Sequence, residues 1–184
     1  MNSADWENAL IGGPEKRIIE IKDYDERWPE VFRAHAERIA QSLGAVAMQV
    51  EHIGSTSVPG LGAKPIIDVL VVVEDSANEV SYLPKLEAAG YELRVREPDF
   101  YEHRMLRTSN RDVHVHIFSP SSPEIERYLI FRDRLRGDAN DRRLYEQVKR
   151  QLAQKSWPDM NAYADAKSEV VERIIRNGLA ARNQ

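Results

Sequence analysis

The sequence predicts a single domain that combines a mixed β-sheet with flanking helices, an α/β (α+β) fold, and ends in a helical C-terminal extension. Residues 66–73 are almost continuously apolar, as expected for a strand that is buried on both faces. Three strand-like segments follow within residues 91–118, and the pattern is helical from residue 123 onward. With 184 residues, 42% of them hydrophobic and 30% charged, the chain has the size and composition of one globular domain.

The elements before this apolar strand are, in order, a loose leader at 1–15, a short strand at 17–21, a helix at about 25–43 and a strand at 46–53. Asp25 can cap the helix at its N-terminus, and Gly44 ends it. The apolar strand at 66–73 is expected to be central in the sheet because it lacks the alternation of a strand with one solvated face.

The elements after it are a short helix at about 81–89, strands near 91–95, 101–107 and 113–118, and helices near 123–136, 139–154 and 159–177. The short helix tolerates Pro84 only in its first turn, and Gly90 closes it. The turn TSNRD at 108–112 joins the last two strands.

Composition narrows the classes of function. The net charge of −4 and the isoelectric point of about 5.8 argue against general nucleic-acid binding, because such domains usually carry a basic excess. The chain has no cysteine, which excludes disulfides and thiolate metal ligands. Its N-terminus lacks the features of a signal peptide, and no apolar run approaches the roughly 20 residues of a membrane span. We therefore expect a cytoplasmic protein that does not bind membranes.

The stretch EHIGSTSVPGLGAKPIIDVLV at 51–71 places turn-forming residues beside a single carboxylate. Glycine lets backbone amides approach an anion, the Ser55 hydroxyl can bond a phosphate, and Asp68 at the strand mouth can hold a divalent cation. We therefore predict an exposed anion-binding loop whose ligand-binding residues are Gly54, Ser55, Thr56, Ser57 and Lys64. The alternative is a tight structural turn in which Lys64 and Asp68 form an ordinary ion pair.

A strand that ends in Gly54 and Ser55, a long turn and an aspartate entering a buried strand resemble the opening of the nucleotidyltransferase fold, the polymerase-beta-like superfamily. More closely, residues 51–71 resemble the GrpB-like family, a branch of that superfamily. The shared motifs continue through HRMLR at 103–107, HVHIF at 114–118, FRDRLR at 131–136, Tyr145 with Lys149, and Tyr163 with Lys167. This resemblance covers about residues 19–175 and implies one nucleotidyltransferase-like domain, with residues 123–184 as its helical extension.

The resemblance also implies that cationic residues of these motifs contact an anionic ligand, namely Arg104, Arg132, Arg136, Lys149 and Lys167. For those that lie on predicted helices, the alternative is an ordinary solvated face.

The sequence departs from an active polymerase-like site in its carboxylates. Members of that superfamily usually carry two carboxylates two residues apart on this strand, whereas here Asp68 is followed by Leu70. Where a third carboxylate is expected, the sequence has His114 and His116 on one strand face. Imidazole binds zinc, manganese or iron but is a poor magnesium ligand, which argues against a standard two-magnesium reaction. Solvated or backbone-bonded histidines are the alternative.

We expect Asp68, His114 and His116 to converge on one site that could hold magnesium, manganese or zinc, with Asp68 and His116 as catalytic residues. The leading hypothesis is a metal-assisted nucleotidyltransferase-like protein that acts on a nucleotide or a phosphorylated small molecule. The competing hypothesis is a catalytically inactive module of the same fold that binds such a ligand. Relatives in the family it resembles occur fused to dephospho-coenzyme A kinase, which implies coenzyme A or nucleotide metabolism by association only.

Overall fold

The computed structural model of the chain describes residues 9–13, 15 and 18–182, with Met160 and Asn161 described by their backbone alone. The strands are β1 (Gln49–Ile53), β2 (Ile67–Val72), β3 (Tyr91–Glu97), β4 (His103–Thr108) and β5 (Val113–Phe118). The helices are α1 (Trp28–Leu43), α2 (Leu83–Ala88), α3 (Pro123–Gly137), α4 (Ala139–Ala153), α5 (Met160–Asp165) and α6 (Ser168–Arg182). No helix in the described part of the chain is both long enough and apolar enough to cross a membrane.

The five strands form one mixed sheet in the order β1-β2-β5-β4-β3. Only the β2 and β5 pair is parallel, and its register places Asp68 opposite His114 and Leu70 opposite His116. The prediction that β2 is central is corrected in part, because β2 lies inside the sheet but β5 holds the middle position. β2 is nevertheless buried along nearly its whole length, as its apolar sequence predicts.

The two faces of this sheet differ because side chains alternate along each strand. One face carries the main core, in which Val69, Val115 and Leu106 pack against residues of α1 and α2. The opposite face carries Asp68 and the two histidines at one end, and a smaller apolar cluster around Leu70, Val72 and Phe118 at the other. The mixed sheet with helices on both sides confirms the predicted fold class.

The helical extension, α3 to α6, packs over the loop between β1 and β2. Val58 and Leu61 of that loop are fully buried in a cluster with Phe131, Leu135 and Ile174 of the extension. The prediction of an exposed loop is wrong for residues 56–58 and 61–63, which are buried. Pro59 and Gly60 at the tip are exposed, and Gly54, Ser55 and Lys64 are partly exposed. The apolar residues within this turn-rich segment bring it into a core, which outweighs the solvent preference of glycine and proline.

Several element boundaries differ from the sequence prediction. The strand predicted at 17–21 is absent at residues 18–21, and Arg17 lies outside the described residues. A single bridge between Lys22 and Ala63 stands in its place. Positive φ angles of 53° at Tyr101 and Glu102 make a turn there, so β4 begins two residues later than predicted. The helix predicted at 159–177 is two helices, α5 and α6.

The segment predicted as a loose leader is only partly within the described residues, since residues 1–8 and 14 lie outside them. Its described part contacts the sheet. Leu10 forms a bridge to Val95 of β3, and the Ile11 amide donates to the Arg94 carbonyl at 2.9 Å. Glu15 pairs with Arg107 of β4. Residues 9–13 and 15 are therefore attached to the edge of the sheet.

Candidate functional site

Three potential metal ligands meet on one face of the sheet. The Asp68 Oδ1 atom lies 3.5 Å from His116 Nε2 and 3.7 Å from His114 Nδ1. One ligand atom from each residue lies within 4.8 Å of the others. The structure thus brings together the three residues that the sequence places on facing positions of β2 and β5. All three are partly exposed, with 16–27% of each side chain accessible, so a solute can reach them.

A buried hydrogen-bond chain leads away from this triad. His116 Nδ1 lies 3.1 Å from His103 Nε2, and His103 Nδ1 lies 2.6 Å from Glu97 Oε2. A carboxylate only accepts, so His103 donates from Nδ1 to Glu97 and can accept from His116 Nδ1–H on its other nitrogen. In this tautomer His116 Nε2 carries a lone pair, as a metal ligand requires, whereas a bond donated from Nε2 to Asp68 requires a proton on that nitrogen. Burial lowers the pKa of His103, against the opposing bond from Glu97, which agrees with a neutral ring.

Asp68 is held close to the backbone of the loop. Gly54 has φ +70° and ψ −174°, a conformation that is essentially restricted to glycine. A Cβ atom at this position would lie 3.0 Å from the Asp68 Cβ and Cγ atoms and closer still to Oδ2. Burial tends to raise the pKa of Asp68, but His116, His114 and Lys64 together outweigh it, so the pKa lies below its ordinary value.

Three lysines converge on the same cavity from different segments. Lys149 of α4 is buried and donates to Ser55 Oγ at 3.0 Å and to the Gly62 carbonyl at 2.5 Å. Burial, followed by repulsion from Lys167, lowers its pKa to about 7. The Nζ atoms of Lys64 and Lys167 lie 5.0 and 4.8 Å from the Tyr163 ring centroid, within cation–π distance.

These groups line a cavity of about 410 Å³ between the sheet and the helical extension. Of the predicted site residues, the ones that line it are Gly54, Ser55, Lys64, Asp68, His114, His116, Lys149 and Lys167. The remaining wall is largely aromatic and apolar, with Tyr128, Phe131, Tyr145 and Tyr163 among its members. Such a mixture of a few convergent polar groups in an apolar wall is typical of small-molecule sites.

Thr56 and Ser57, predicted as ligand-binding residues, do not line this cavity. The Thr56 hydroxyl donates to the Ile66 carbonyl at 3.1 Å and lies 3.1 Å from His52 Nε2, while Ser57 Oγ donates to the Gly54 carbonyl at 2.6 Å. Both hydroxyls therefore close the turn on itself. For these two residues the structural-turn alternative describes the molecule better.

The three predicted arginines also lie outside the cavity. Arg104 points to the opposite sheet face, where it bonds Glu79 at 2.6 Å, because alternation along β4 separates it from His103. Arg132 of α3 donates to the Glu51 carboxylate at 2.8 Å, and Arg136 donates to the Ser57 carbonyl at 2.8 Å. The latter two fasten the helical extension to the loop. Neither of the two interpretations, contact with an anionic ligand or a solvated helix face, anticipated that the protein itself supplies the acceptors.

Sequence reasoning missed Glu97, His103 and Tyr128. His103 lies in the motif HRMLR, and a third histidine on the strand next to His114 and His116 is the signal that could have found it. Glu97 lies two residues beyond the predicted end of β3. Tyr128 lines the cavity from the first turns of α3, in a position that only helix packing determines.

The sheet order and the loop between β1 and β2 give the chain a nucleotidyltransferase-like fold. The Cid1 poly(U) polymerase with Mg and 3′-dATP bound superposes with a TM-score of 0.53 at 16% identity, covering 73% of this chain and 43% of that one. That likeness concerns the fold alone. The chain belongs to the GrpB family, because the family model described as GrpB protein matches residues 18–177.

Relatives and a solved structure agree with this membership. A UPF0157 protein of Streptomyces coelicolor is 55% identical over 173 residues, covering 94% of this chain and 91% of the relative. The crystal structure of the conserved protein GrpB from Enterococcus faecalis has a TM-score of 0.80 at 35% identity, covering 90% of this chain and 100% of that one. A dephospho-CoA kinase of Mycolicibacterium paratuberculosis is 30% identical in an alignment of 169 positions that covers 78% of this chain and 42% of the kinase.

Proposed function

We propose that this protein binds the polyphosphate of a nucleotide, or of a related phosphorylated small molecule, together with one divalent metal ion, and that it transfers the nucleotidyl group to an acceptor. The observation that carries the proposal is the convergence of three lysines and a two-histidine, one-carboxylate cluster on a single cavity. The lysines come from the loop, from α4 and from the turn between α5 and α6, so no local pattern explains why they meet.

The lysines support a polyanionic ligand. Lys64 and Lys167 both lie over the Tyr163 ring, and Lys149 donates to Ser55 in the wall of the same cavity. Burial, followed by repulsion from Lys167, lowers the pKa of Lys149, so positive charge on these lysines is disfavoured in the cavity. A bound triphosphate relieves that repulsion and supplies acceptor oxygens for the ammonium donors.

The triad supports a single transition-metal ion. Two ligand atoms each 2.0–2.1 Å from a tetrahedral ion lie roughly 3.3 Å apart. The distances of 3.5 and 3.7 Å from Asp68 to the two imidazoles are close to that value. The Glu97 and His103 chain favours the His116 tautomer that can ligate through Nε2, as carboxylate and histidine partners do in other metal sites. Manganese and zinc therefore suit this donor set better than magnesium.

Such an ion, when bound, would neutralise phosphate charge and polarise the phosphorus–oxygen bond. The chain's own residues would do the rest of the work. Ser55 and the lysines hold the phosphates, and Tyr128 and Phe131 close the cavity from the helical extension. Exclusion of water by these apolar groups strengthens each charge interaction inside the cavity.

One observation favours the second candidate, a binding module without turnover. Leu70 stands on β2 where an active superfamily member has its second carboxylate, and it is fully buried in the apolar cluster opposite His116. A site with one aspartate keeps the means to bind a metal–nucleotide complex while holding less negative charge than a two-metal site needs.

Calorimetric titration with ATP and UTP in the presence of Mn²⁺, Zn²⁺ or Mg²⁺ tests the proposal. We expect binding that is tighter with manganese or zinc than with magnesium. Lys64→Met and Lys167→Met each remove one charge-assisted contact and should weaken binding about 10- to 100-fold. The matched control is Lys85→Met, at an exposed lysine of α2 outside the cavity, which should change nothing.

Asp68→Asn keeps the size of the side chain and should abolish the dependence on metal while the protein stays folded. Consumption of triphosphate, measured in the same samples, separates the two candidates. Tight binding without turnover under all three metals would leave the binding module and eliminate the transferase. Equal binding by the wild type and by both lysine variants would eliminate both.

A further inference from the structure

A second cavity of about 360 Å³ lies beside the first on the same sheet face. It extends over β4 and β3 and shares Lys64, His114, His116 and Tyr128 with the lysine-lined cavity. A molecule in either cavity therefore contacts the same pair of histidines. Two chambers that meet at a candidate metal site are the arrangement that two reacting ligands require.

The wall of the second cavity is apolar over most of its area. Val95 and Met105 are paired across β3 and β4, Phe100 closes one side, and Leu10 covers the chamber from the N-terminal segment. Among the described residues, the only lysine that lines this chamber is Lys64, at the boundary with the first cavity. It is thus suited to a ligand with an apolar body rather than to a second polyphosphate.

A cluster of guanidinium groups lies at the other end of this chamber. Arg107 donates to both carboxylate oxygens of Glu15, at 3.0 and 2.9 Å. Arg111 and Arg94 lie 3.3 and 3.8 Å from the same carboxylate. Three guanidinium groups surround the Glu15 carboxylate, while Glu97 and Asp159 line other parts of the chamber. The planar fork of Arg107 matches a carboxylate or phosphate in two-point contact.

We propose that the second cavity binds a small molecule that has an apolar body and one carboxylate or phosphate group, with Arg107 holding that group in exchange for Glu15. The Glu15 carboxylate occupies the anion position in the absence of this ligand. The opposite end of the ligand then faces His114 and His116. Binding itself does not depend on the proposed function, whereas the role of this molecule as the acceptor rests on it.

As an acceptor, the molecule presents a hydroxyl oxygen that bonds to the α-phosphorus of the nucleotide. The bond from that phosphorus to pyrophosphate breaks, pyrophosphate leaves with the electron pair, and the hydroxyl proton passes to water. The chain supplies the alignment, since the two chambers share a boundary at the histidines.

Benzoate, phenyl phosphate and benzyl alcohol are suitable probes because they share one apolar body and differ in the anionic group. Calorimetry or ligand-observed NMR on the full chain should show benzoate or phenyl phosphate binding at least about tenfold more tightly than benzyl alcohol, and the tighter of the two identifies the anion. Arg107→Gln should reduce both anions to the level of benzyl alcohol. Glu15→Gln should tighten both several-fold because it removes the competing carboxylate.

Arg33→Gln is the matched control, since Arg33 is exposed on α1 and lines neither cavity. Met105→Trp, which fills the chamber, should block all three probes and serves if Arg107→Gln does not fold. Equal affinities of benzoate and benzyl alcohol, or a Glu15→Gln variant that binds anions no better than the wild type, would overturn the proposal. Triphosphate binding measured on Arg107→Gln should be unchanged, so a failure here is separate from a failure of the proposed function.

Discussion

The two faces of the sheet in this protein carry different tasks. On one face, Val69, Val115 and Leu106 are fully buried and pack against α1 and α2 in the main core. On the other, the neighbouring residues Asp68, His114 and Met105 face the two cavities. Neighbouring residues along β2 and β5 thus alternate between the two faces. Val69 and Val115 pack in the main core, whereas Asp68 and His114 line the first cavity. A single substitution can therefore test one task without the other.

The largest expected effect is on the core face. Leu106→Ala removes a fully buried side chain and should lower the free energy of unfolding by about 2–5 kcal/mol. Metal affinity should stay within about twofold, because Leu106 points away from the triad. Chemical denaturation and a metal titration on the same protein measure the two quantities. A tenfold loss of metal affinity would show that the faces are coupled.

The next effect concerns the buried chain behind His116. Glu97→Gln weakens the bond that orients His103 and should lower affinity for manganese or zinc about 10- to 100-fold, as partners of metal-ligating histidines commonly do. Glu92→Gln, at an exposed position on the same strand, is the control. If Glu97→Gln and Glu92→Gln bind metal equally well, Glu97 has only a structural role.

Gly54 lies where the loop between β1 and β2 meets the cavity-facing side of the sheet, so a change there should affect both stability and metal binding. Gly54→Ala forces a side chain into a glycine-only conformation, at a cost of about 1–3 kcal/mol, and presses its Cβ against Asp68. We expect metal affinity to fall together with stability. Gly60→Ala also has positive φ, but nothing lies within 4 Å of its Cβ, so it should lose stability alone. Equal metal affinity in both variants would contradict this assignment.

The smallest effect is a pH dependence of the free energy of unfolding, which arises from Lys149 in the cavity. Lys149 has a pKa of about 7 in the folded protein and an ordinary value of 10.5. Between these values the unfolded chain holds one more proton, so the stability of the wild type relative to Lys149→Met should rise with pH. The slope is at most about 1.4 kcal/mol per pH unit above pH 7, and it vanishes below pH 7. Denaturation curves at pH 6 to 9 measure it, and a flat difference would mean that Lys149 stays charged.

Much of the sheet and half of the site follow from local pattern. Strand periodicity is enough to place His114 and His116 on one face and to identify β2 as a buried strand. The parallel register that puts Asp68 opposite His114 is a tertiary fact, and the sequence did not predict it. Local pattern therefore accounts for the two histidines, whereas the expectation that Asp68 lies beside them came from the family resemblance.

The partners of charged side chains could not be predicted in this way. Nothing in the sequence shows that Arg132 and Arg136 bind acceptors within the protein while the lysines line the cavity. Helix α3 places these two arginines beside Glu51 and the Ser57 carbonyl. The contact between His103 and Glu97 depends on the register of β3 and β4, which a bulge between Leu93 and Val95 shifts. Thr56 was misassigned because a hydroxyl that closes a turn and one that binds phosphate have the same sequence context.

The parallel pairing of β2 with β5 also determines at which stage of synthesis and folding the site can form. Strands β3 and β4 lie between them in sequence, so the contact between Asp68 and His114 joins residues 46 positions apart. Long-range pairings of this kind form more slowly than helices or hairpins. During synthesis the two histidines emerge only with β5, and Lys149 and Lys167 emerge later still. Any ligand of this cavity should therefore bind only the finished fold, after the sheet and the helical extension have assembled.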